Sequence, residues 1–465
     1  MEAAIELAPS QARIVPLTFQ QRFLLEARKK SHMVSRLDSM TLRLCGKVRP
    51  ELLLRSFEEL IRRHDSLRTR LIEVSGTWAQ KITDFEECQV RSRDISDGSD
   101  DGDEELAFRC LDEFNGRRWN LDDQPLFYVE VLKLSERCYF LSYILHHLII
   151  DATSINLMFR EIWPLYTAHL RGQQPMLPDE LCQYSDYAVQ QQRAEFDWSQ
   201  KHDPYWQARL DGASRVIWPS DGGTAGIKTC ATALARATMD ADLILRSRKL
   251  AQRERTLLSL VMLATHVAVV SQRCQVKNFI VPMVVSGRNS AQEGAMVGYM
   301  AHFLYLRIQL TGDERFVDLL DNVKREFNQA MLHQDSGRLS VRAPELVRGI
   351  SFSWLKWHWE ESCGVPTQAE SSTLDAKVEV YPSIPFVQIV NFKPMETEGP
   401  AELLSEMAIQ FLEARDGLVL VLRYRADLYS AAAAARVLAA VPMASAKLLR
   451  DPYARISTLA LDLDH

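Results

Sequence analysis

Three observations predict a mixed α/β chain built as two comparable halves. The 465 residues are about three times the usual length of a single domain, which leaves apolar material for two cores. Segments with apolar residues at helical spacing alternate with short apolar runs of strand length in both halves. A polar, proline-containing stretch from Gly172 to Asp179 separates them and reads as a linker. The expected division is therefore residues 1–178 and 179–465.

The elements follow in chain order. Between Glu51 and His64, residues Leu52, Leu53, Phe57, Leu60 and Ile61 fall on one helical face and Glu and Arg on the other, which predicts an amphipathic helix. The acidic run Asp94–Glu105, with Gly98 and Gly102, reads as a solvated loop without chemistry. Tyr139–Leu145 is apolar, aromatic and of strand length. Ser154 suits the cap of a helix whose apolar face includes Leu157, Met158, Ile162 and Leu165. The residues between are then a strand-to-helix turn. After the linker the alternation returns, with a helix over Leu257–Ser271, a strand over Asn278–Val285 and a helix over Phe316–His333. Strands follow at Phe386–Asn391 and Leu418–Tyr424. Last comes an Ala-rich helix from Ala431, which Pro442 is expected to break or kink.

Composition narrows the function. Hydrophobic residues at 47% and charged residues at 25% fit a soluble globular enzyme. A net charge of −6 lacks the basic surplus that nucleic-acid phosphates call for. Met1–Pro16 carries Glu2 and Glu6 and no basic-then-apolar signal, so a cytoplasmic location is expected. The apolar stretch Leu257–Val270 is interrupted by Ser259, Thr265 and His266 and is shorter than the roughly 20 residues that span a bilayer, so no membrane role is expected. The eight cysteines form no CxxC pair, which fits neither a zinc cluster nor a disulfide framework; most should be reduced core thiols.

The run His146-His147-Leu148-Ile149-Ile150-Asp151 concentrates titratable groups at a strand exit, where sites are often built. Neighbouring side chains on an extended chain point to opposite faces, so the two histidines cannot address one substrate together. One acts and one supports. A metal needs three or four convergent ligands, which adjacent strand residues supply poorly, so no metal is assigned. Two buried, hydrogen-bonded histidines without chemistry remain an equally open reading of the spacing alone.

The wider sequence resembles one family. His146–Asp151 is similar to the HHxxxDG signature of nonribosomal peptide synthetase condensation domains, with Ala152 in place of the glycine. Leu17-Thr18-Phe19-Gln20-Gln21-Arg22 resembles the family's opening LSxAQxR block, and Arg63-His64-Asp65-Ser66-Leu67-Arg68-Thr69 resembles RHExLRT. Tyr184-Ser185-Asp186-Tyr187-Ala188 matches YxDYA, and Tyr205-Trp206 with Leu210 matches YWxxxL. Gly287-Arg288 with Met296-Val297-Gly298 through Arg307 resembles GRxxx…MVGxFVNTLPLR. His333-Gln334-Asp335 with Leu346-Val347 resembles HQDxP…LV, and Pro385-Phe386-Val387-Gln388 with Asn391-Phe392 resembles PxFQVxFN. The blocks occur in family order.

The resemblance implies two chloramphenicol-acetyltransferase-like domains forming a V-shaped pseudo-dimer around a central tunnel. It implies His147 as the catalytic base on an attacking amine or hydroxyl, with His146, Asp151, Ala152 and Arg288 in support and Asp151 pairing with Arg288. Ser154, Gly298, His302 and Gln388 are the implied tunnel contacts. The implied donor is an acyl or peptidyl chain on a carrier protein's phosphopantetheine thioester. The acceptor is a small molecule or carrier-bound group, and no cofactor is bound permanently. No adenylation or carrier domain is evident, so the donor is expected from a separate carrier, as in the ester-forming enediyne and enacyloxin members. The chain is expected to be a monomer.

Several residues depart from the family pattern. Besides Ala152, His302 stands where the tunnel asparagine is usual, Leu25 in place of an early Trp, and Gln190 in place of the Trp in YxDYAxWQ. Wax-ester and acylglycerol synthases share HHxxxDG but not the other blocks. A non-catalytic docking module is a further alternative, which intact His147 and Asp151 oppose. The histidine pair disfavours cyclisation relatives, which carry aspartates, and leaves epimerisation relatives open. His266 and His358 are expected to pack rather than catalyse.

Overall fold

The computed structural model describes residues 12–31, 37–86, 89–99, 103–115, 121–177, 182–222, 232–334, 349–356, 376–380, 406–414 and 417–459. The first half runs β1 (Arg13–Pro16), α1 (Phe19–Ser31), β2 (Leu37–Gly46), α2 (Pro50–Arg63), β3 (Thr69–Val74), β4 (Thr77–Ile82), β5 (Val90–Asp94), α3 (Glu104–Asn115), β6 (Phe127–Ser135), β7 (Cys138–His146) and α4 (Ala152–Leu170). Helix α2 starts on a proline, whose fixed φ suits the first turn. It buries Leu53, Phe57, Leu60 and Ile61 at helical spacing, as predicted. Strand β7 is buried at every residue and lies between β2 and β6, which explains its unbroken apolar reading. A separate small sheet joins β1, β4 and β3.

Helix α5 (Tyr184–Leu210) leads into the second half. There follow β8 (Ser214–Arg215), β9 (Thr232–Met239), α6 (Ala241–Arg253), α7 (Leu258–Cys274), β10 (Asn278–Val285), α8 (Ala291–Gly294), β11 (His302–Gln309), α9 (Phe316–Leu332), β12 (Ile350–Lys356), β13 (Ala376–Val380), β14 (Met407–Ala414), β15 (Gly417–Arg425) and α10 (Ala431–Arg450). Its sheet has the order β11-β10-β12-β14-β15-β9, with β8 pairing β10. Strand β13 does not join it: Ala376–Val380 pairs antiparallel with Leu42–Gly46 of β2, so a late strand extends the first half's sheet.

Some expectations change. Ser154 is not the cap of α4 but lies inside its first turn; Asp151 caps the helix by accepting from the Ser154 backbone N–H. Pro442 does not break α10, which runs through it. Asp94 ends β5 and Glu104 and Glu105 begin α3, so the acidic run is only partly irregular. Cys110 and Cys138 are buried and Cys274 partly so, whereas Cys182 is exposed. The predicted strand Phe386–Asn391 and His358 lie outside the described residues. Among the described residues α10 alone has the length and hydropathy of a bilayer span, and 56% of that stretch is buried against the second half's own fold.

His266 packs, as expected, and its cost is measurable. It is buried in α7 with its ring 5.9 Å from that of Phe352. Burial pushes its pKa down from 6.5 to about 4. Between those values the unfolded chain binds the extra proton, so stability falls as pH drops from about 6.5 toward 4. Chemical denaturation at pH 7 and pH 5 should show about 2 kcal/mol of this loss in the native chain and little of it in His266→Leu. Equal slopes in the two proteins would refute the assignment.

Candidate active site

Strand β7 ends at His146 and α4 begins at Ala152, so the His-His-Asp run turns from one into the other. His146 is 4% exposed, and its Nδ1 accepts the Leu148 backbone N–H at 3.1 Å. In the neutral ring the proton is then on Nε2, and the ring braces the turn. His147 is half-buried, with its ring 5.2 Å from that of Tyr299 and tilted by 36°. One histidine is thus enclosed and the other is accessible.

Asp151 is the knot of the site. Its Oδ1 accepts from the Ser154 backbone N–H at 2.9 Å, from Ser154 Oγ at 3.0 Å and from Arg288 Nη2 at 3.1 Å. Its Oδ2 accepts from Arg288 Nη1 at 2.8 Å and from the backbone N–H groups of Met300 and Ala301 at 3.0 and 3.1 Å. Burial alone would raise its pKa, but the Arg288 guanidinium and these donors outweigh burial and hold the carboxyl below its ordinary range. The bidentate pair is almost fully enclosed, with side-chain exposures of 5% for Arg288 and 3% for Asp151. Asp151 therefore ties the turn to the β10–β11 loop of the second half and has no capacity left for substrate.

Ser154 and Gly298 belong to the same clasp. Ser154 Oγ lies 2.8 Å from the Gly298 carbonyl and accepts the Gly298 N–H at 2.9 Å and Arg288 Nη2 at 2.7 Å. Both residues are buried, so the structure places these two expected tunnel contacts in the joint. A Cβ on Gly298 would fall 2.2 Å from the Tyr184 ring. Gly298→Ala should therefore destabilise the protein by about 1–3 kcal/mol in denaturant melts, the usual penalty of overpacking; an unchanged midpoint would refute this close approach.

Ala152 is the first residue of α4 and has an ordinary helical backbone, so its Cβ brings no strain, and its N–H has no partner within the helix. His302 opens β11, half-buried, with Nδ1 3.2 Å from the Met300 carbonyl; the proton of the neutral ring is on Nδ1. Gly287, at φ +67°, makes room for that contact, because a Cβ would lie 2.2 Å from the Met300 oxygen and 2.9 Å from His302 Nδ1. Gln388 lies outside the described residues.

Reading the sequence did not assign a role to several residues that hold this arrangement. Gln21 Nε2 donates to the Leu148 carbonyl at 2.9 Å, and Gln20 Nε2 to the Met300 carbonyl at 3.2 Å. The Tyr184 hydroxyl donates to the Tyr299 carbonyl at 2.7 Å, and Asp65 accepts the Tyr184 and Ser185 N–H groups that open α5. His333 stacks on Tyr205 at 3.9 Å, and its carbonyl accepts from Trp206 Nε1. All but Tyr299 and Met300 are spelled out in the family blocks; the blocks flagged them, but their partners were not readable from local spacing. A separate cavity of about 1050 Å³, lined in part by Arg62, Arg63, Leu165, Gln183 and Gln292, contains none of the site residues.

Comparison with known proteins follows the same outline. The sequence model of the Condensation domain family matches residues 11–342. Tyrocidine synthase 2 of Brevibacillus parabrevis is 29% identical over 340 residues, covering 72% of this chain and 9% of the synthase. The chain thus spans a small part of the curated relatives it matches. Among solved structures, the condensation domain from the monacolin K polyketide synthase MokA superposes with a TM-score of 0.77 at 15% identity, covering 96% of this chain and all of that one. The SgcC5 protein of Streptomyces globisporus gives 0.74 at 21% identity, covering 95% and 100%. At these identities the structural likeness establishes the fold.

Proposed function

The chain belongs to the Condensation domain family, and we propose that it is an acyltransferase that moves an acyl, polyketide or peptidyl chain from a carrier protein's phosphopantetheine thioester to a small acceptor. The observation that carries the reading is the division of labour within the His-His-Asp turn. Asp151 is saturated by six hydrogen bonds, His146 braces the turn, and His147 alone of the three is partly accessible. In this reading His147 takes the proton from the acceptor's amine or hydroxyl as its nitrogen or oxygen attacks the thioester carbonyl. The new C–N or C–O bond forms, the C–S bond breaks, and the proton passes to the departing thiolate. The N–H of Ala152, which the first turn of α4 leaves without a partner inside the helix, suits the developing oxyanion. Holding donor and acceptor together contributes alongside the base.

The reading places residues 1–178 and 179–465 as two acyltransferase-like halves in a V, with the substrates meeting in a tunnel at the seam. It has the protein act in the cytoplasm as a monomer on a separate carrier, with release of the chain as the amide or ester. The test is intact-protein mass spectrometry of an acyl-loaded carrier incubated with the protein and a panel of small amines and alcohols. Loss of the acyl mass matched by a new amide or ester supports the proposal and settles the bond type. If the carrier binds but is never unloaded, the transferase reading fails and a carrier-docking role takes its place. Unloading of acyl-CoA but not of carriers would favour the wax-ester type of chemistry instead.

A further inference from the structure

The second half's sheet has two dissimilar faces. On one, Phe352 meets His266 of α7, Trp354 stacks on Phe411, and Glu413 pairs with Arg248 of α6, so the helices of the second half cover it. The other face turns toward α1 of the first half and toward α5. There Phe303 meets Phe23 of α1 at 6.2 Å and Tyr305 meets Trp206 of α5 at 6.3 Å. The strand register continues the row that begins at Phe303: Phe303 pairs with Val284, Val284 with Ser353, Ser353 with Gln410, Gln410 with Val421, and Val421 with Arg236. Directly paired residues share a face, so Ser353 and Gln410 sit side by side in a row whose adjoining positions, Val284 and Val421, are apolar.

Gln410 is the anomaly in this row. Its side-chain Oε1 is shielded from solvent and has no hydrogen-bond partner. An interior amide oxygen left unsatisfied is rare in a native fold, because the group loses water and gains nothing in return. The neighbouring Val284 and Val421 carry no donor. Arg236, at the far end of the row, is two strands away from Gln410, roughly 9–10 Å at ordinary strand spacing.

We infer that Ser353 and Gln410 form a hydrogen-bonding step on the inner face of the second half's sheet, which recognises a hydroxyl or amide N–H group carried by a substrate. The inference rests on the transferase reading for its context and names the class of substrate: a chain or acceptor with a polar donor group set within apolar surroundings, rather than a plain hydrocarbon. Ser353 contributes a hydroxyl that both donates and accepts, and Gln410 contributes the acceptor oxygen. A site built to bond such a group rejects the analogue lacking it, since the buried amide is then left unpaired.

The test measures binding, so it does not depend on turnover. Isothermal titration of the His147→Ala protein would use matched pantetheine thioesters, hydroxyacyl and plain acyl, and matched acceptors with and without a second hydroxyl. The expected result is a preference of about tenfold or more for the hydroxylated member of one pair. That preference should fall to about twofold or less when Gln410→Leu is added. Discrimination in the thioester pair places the group on the donor chain, and discrimination in the acceptor pair places it on the acceptor. Gln410→Leu removes an unsatisfied group and should not lower the melting temperature; Gln410→Met and Ser353→Ala serve should it fail to fold. The inference is overturned if neither pair is discriminated, or if the preference survives these substitutions. If carriers are never unloaded and yet Gln410→Leu abolishes the preference, the transferase reading fails and this inference stands.

Discussion

His147→Ala is expected to unload a carrier at least about 10²-fold more slowly than the native protein, the low end of what a positioned base contributes. The loss should appear in kcat, with carrier binding unchanged, because the half-buried imidazole lies against Tyr299 and is not among the six hydrogen bonds that hold Asp151. The melting temperature should change little for the same reason. Rate measurements by mass spectrometry and carrier titration by calorimetry would separate the two quantities. A variant that transfers at the native rate would remove His147 from the chemistry and leave positioning alone to account for transfer. His146→Ala makes the contrast: its imidazole accepts the Leu148 N–H inside the turn, so its loss should lower stability and activity together.

Arg288→Leu is expected to cost about 3–5 kcal/mol of stability, because it leaves the Asp151 charge buried without its partner. The pH dependence identifies the cause. In the native chain the Asp151 pKa is depressed, so its contribution is present above the unfolded value of about 3.8 and is lost only as pH falls below it toward the folded value. Without Arg288, burial dominates and raises the folded pKa. The folded variant then binds a proton before the unfolded chain does, so acidification relieves its penalty. The deficit between variant and native should narrow from pH 7 to pH 4.5. The double variant Asp151→Asn/Arg288→Leu should lose less than the sum of the two single changes. A deficit independent of pH, with additive single effects, would show that lost packing and not charge is responsible.

Much of the fold was legible locally. The strand predicted at Asn278–Val285 has those bounds in the structure, and the amphipathic helix from residue 51 begins one residue earlier, on Pro50. Alternation and helical spacing report which face of an element is buried, and these elements bury what their patterns offered. The cap of α4 was misread because Ser and Asp are both good caps; Asp151 won by its position at the end of the turn, where its side chain reaches the Ser154 N–H. Pro442 was expected to interrupt α10, but the helix is held by its packing on the second half, where Val437, Leu438, Val441 and Leu448 are buried.

The site divides along the same line. From the sequence alone came the family, the order of its blocks, the prominence of His147 and the expected pairing of Asp151 with Arg288. The blocks rest on residue identity along the chain, and the roles of His147, Asp151 and Arg288 on what the family resemblance implies. The tertiary structure decided which histidine is enclosed, that Ser154 and Gly298 clasp the halves instead of standing open, and that Gly298 is required by the Tyr184 ring. It also decided that Ser353 and Gln410 share a row. The physical reason is range. Asp151 and Arg288 are 137 residues apart, and Ser154 and Gly298 are 144 apart. Periodicity reports only neighbours within a turn or a strand, whereas burial and hydrogen-bond satisfaction are settled when distant segments meet.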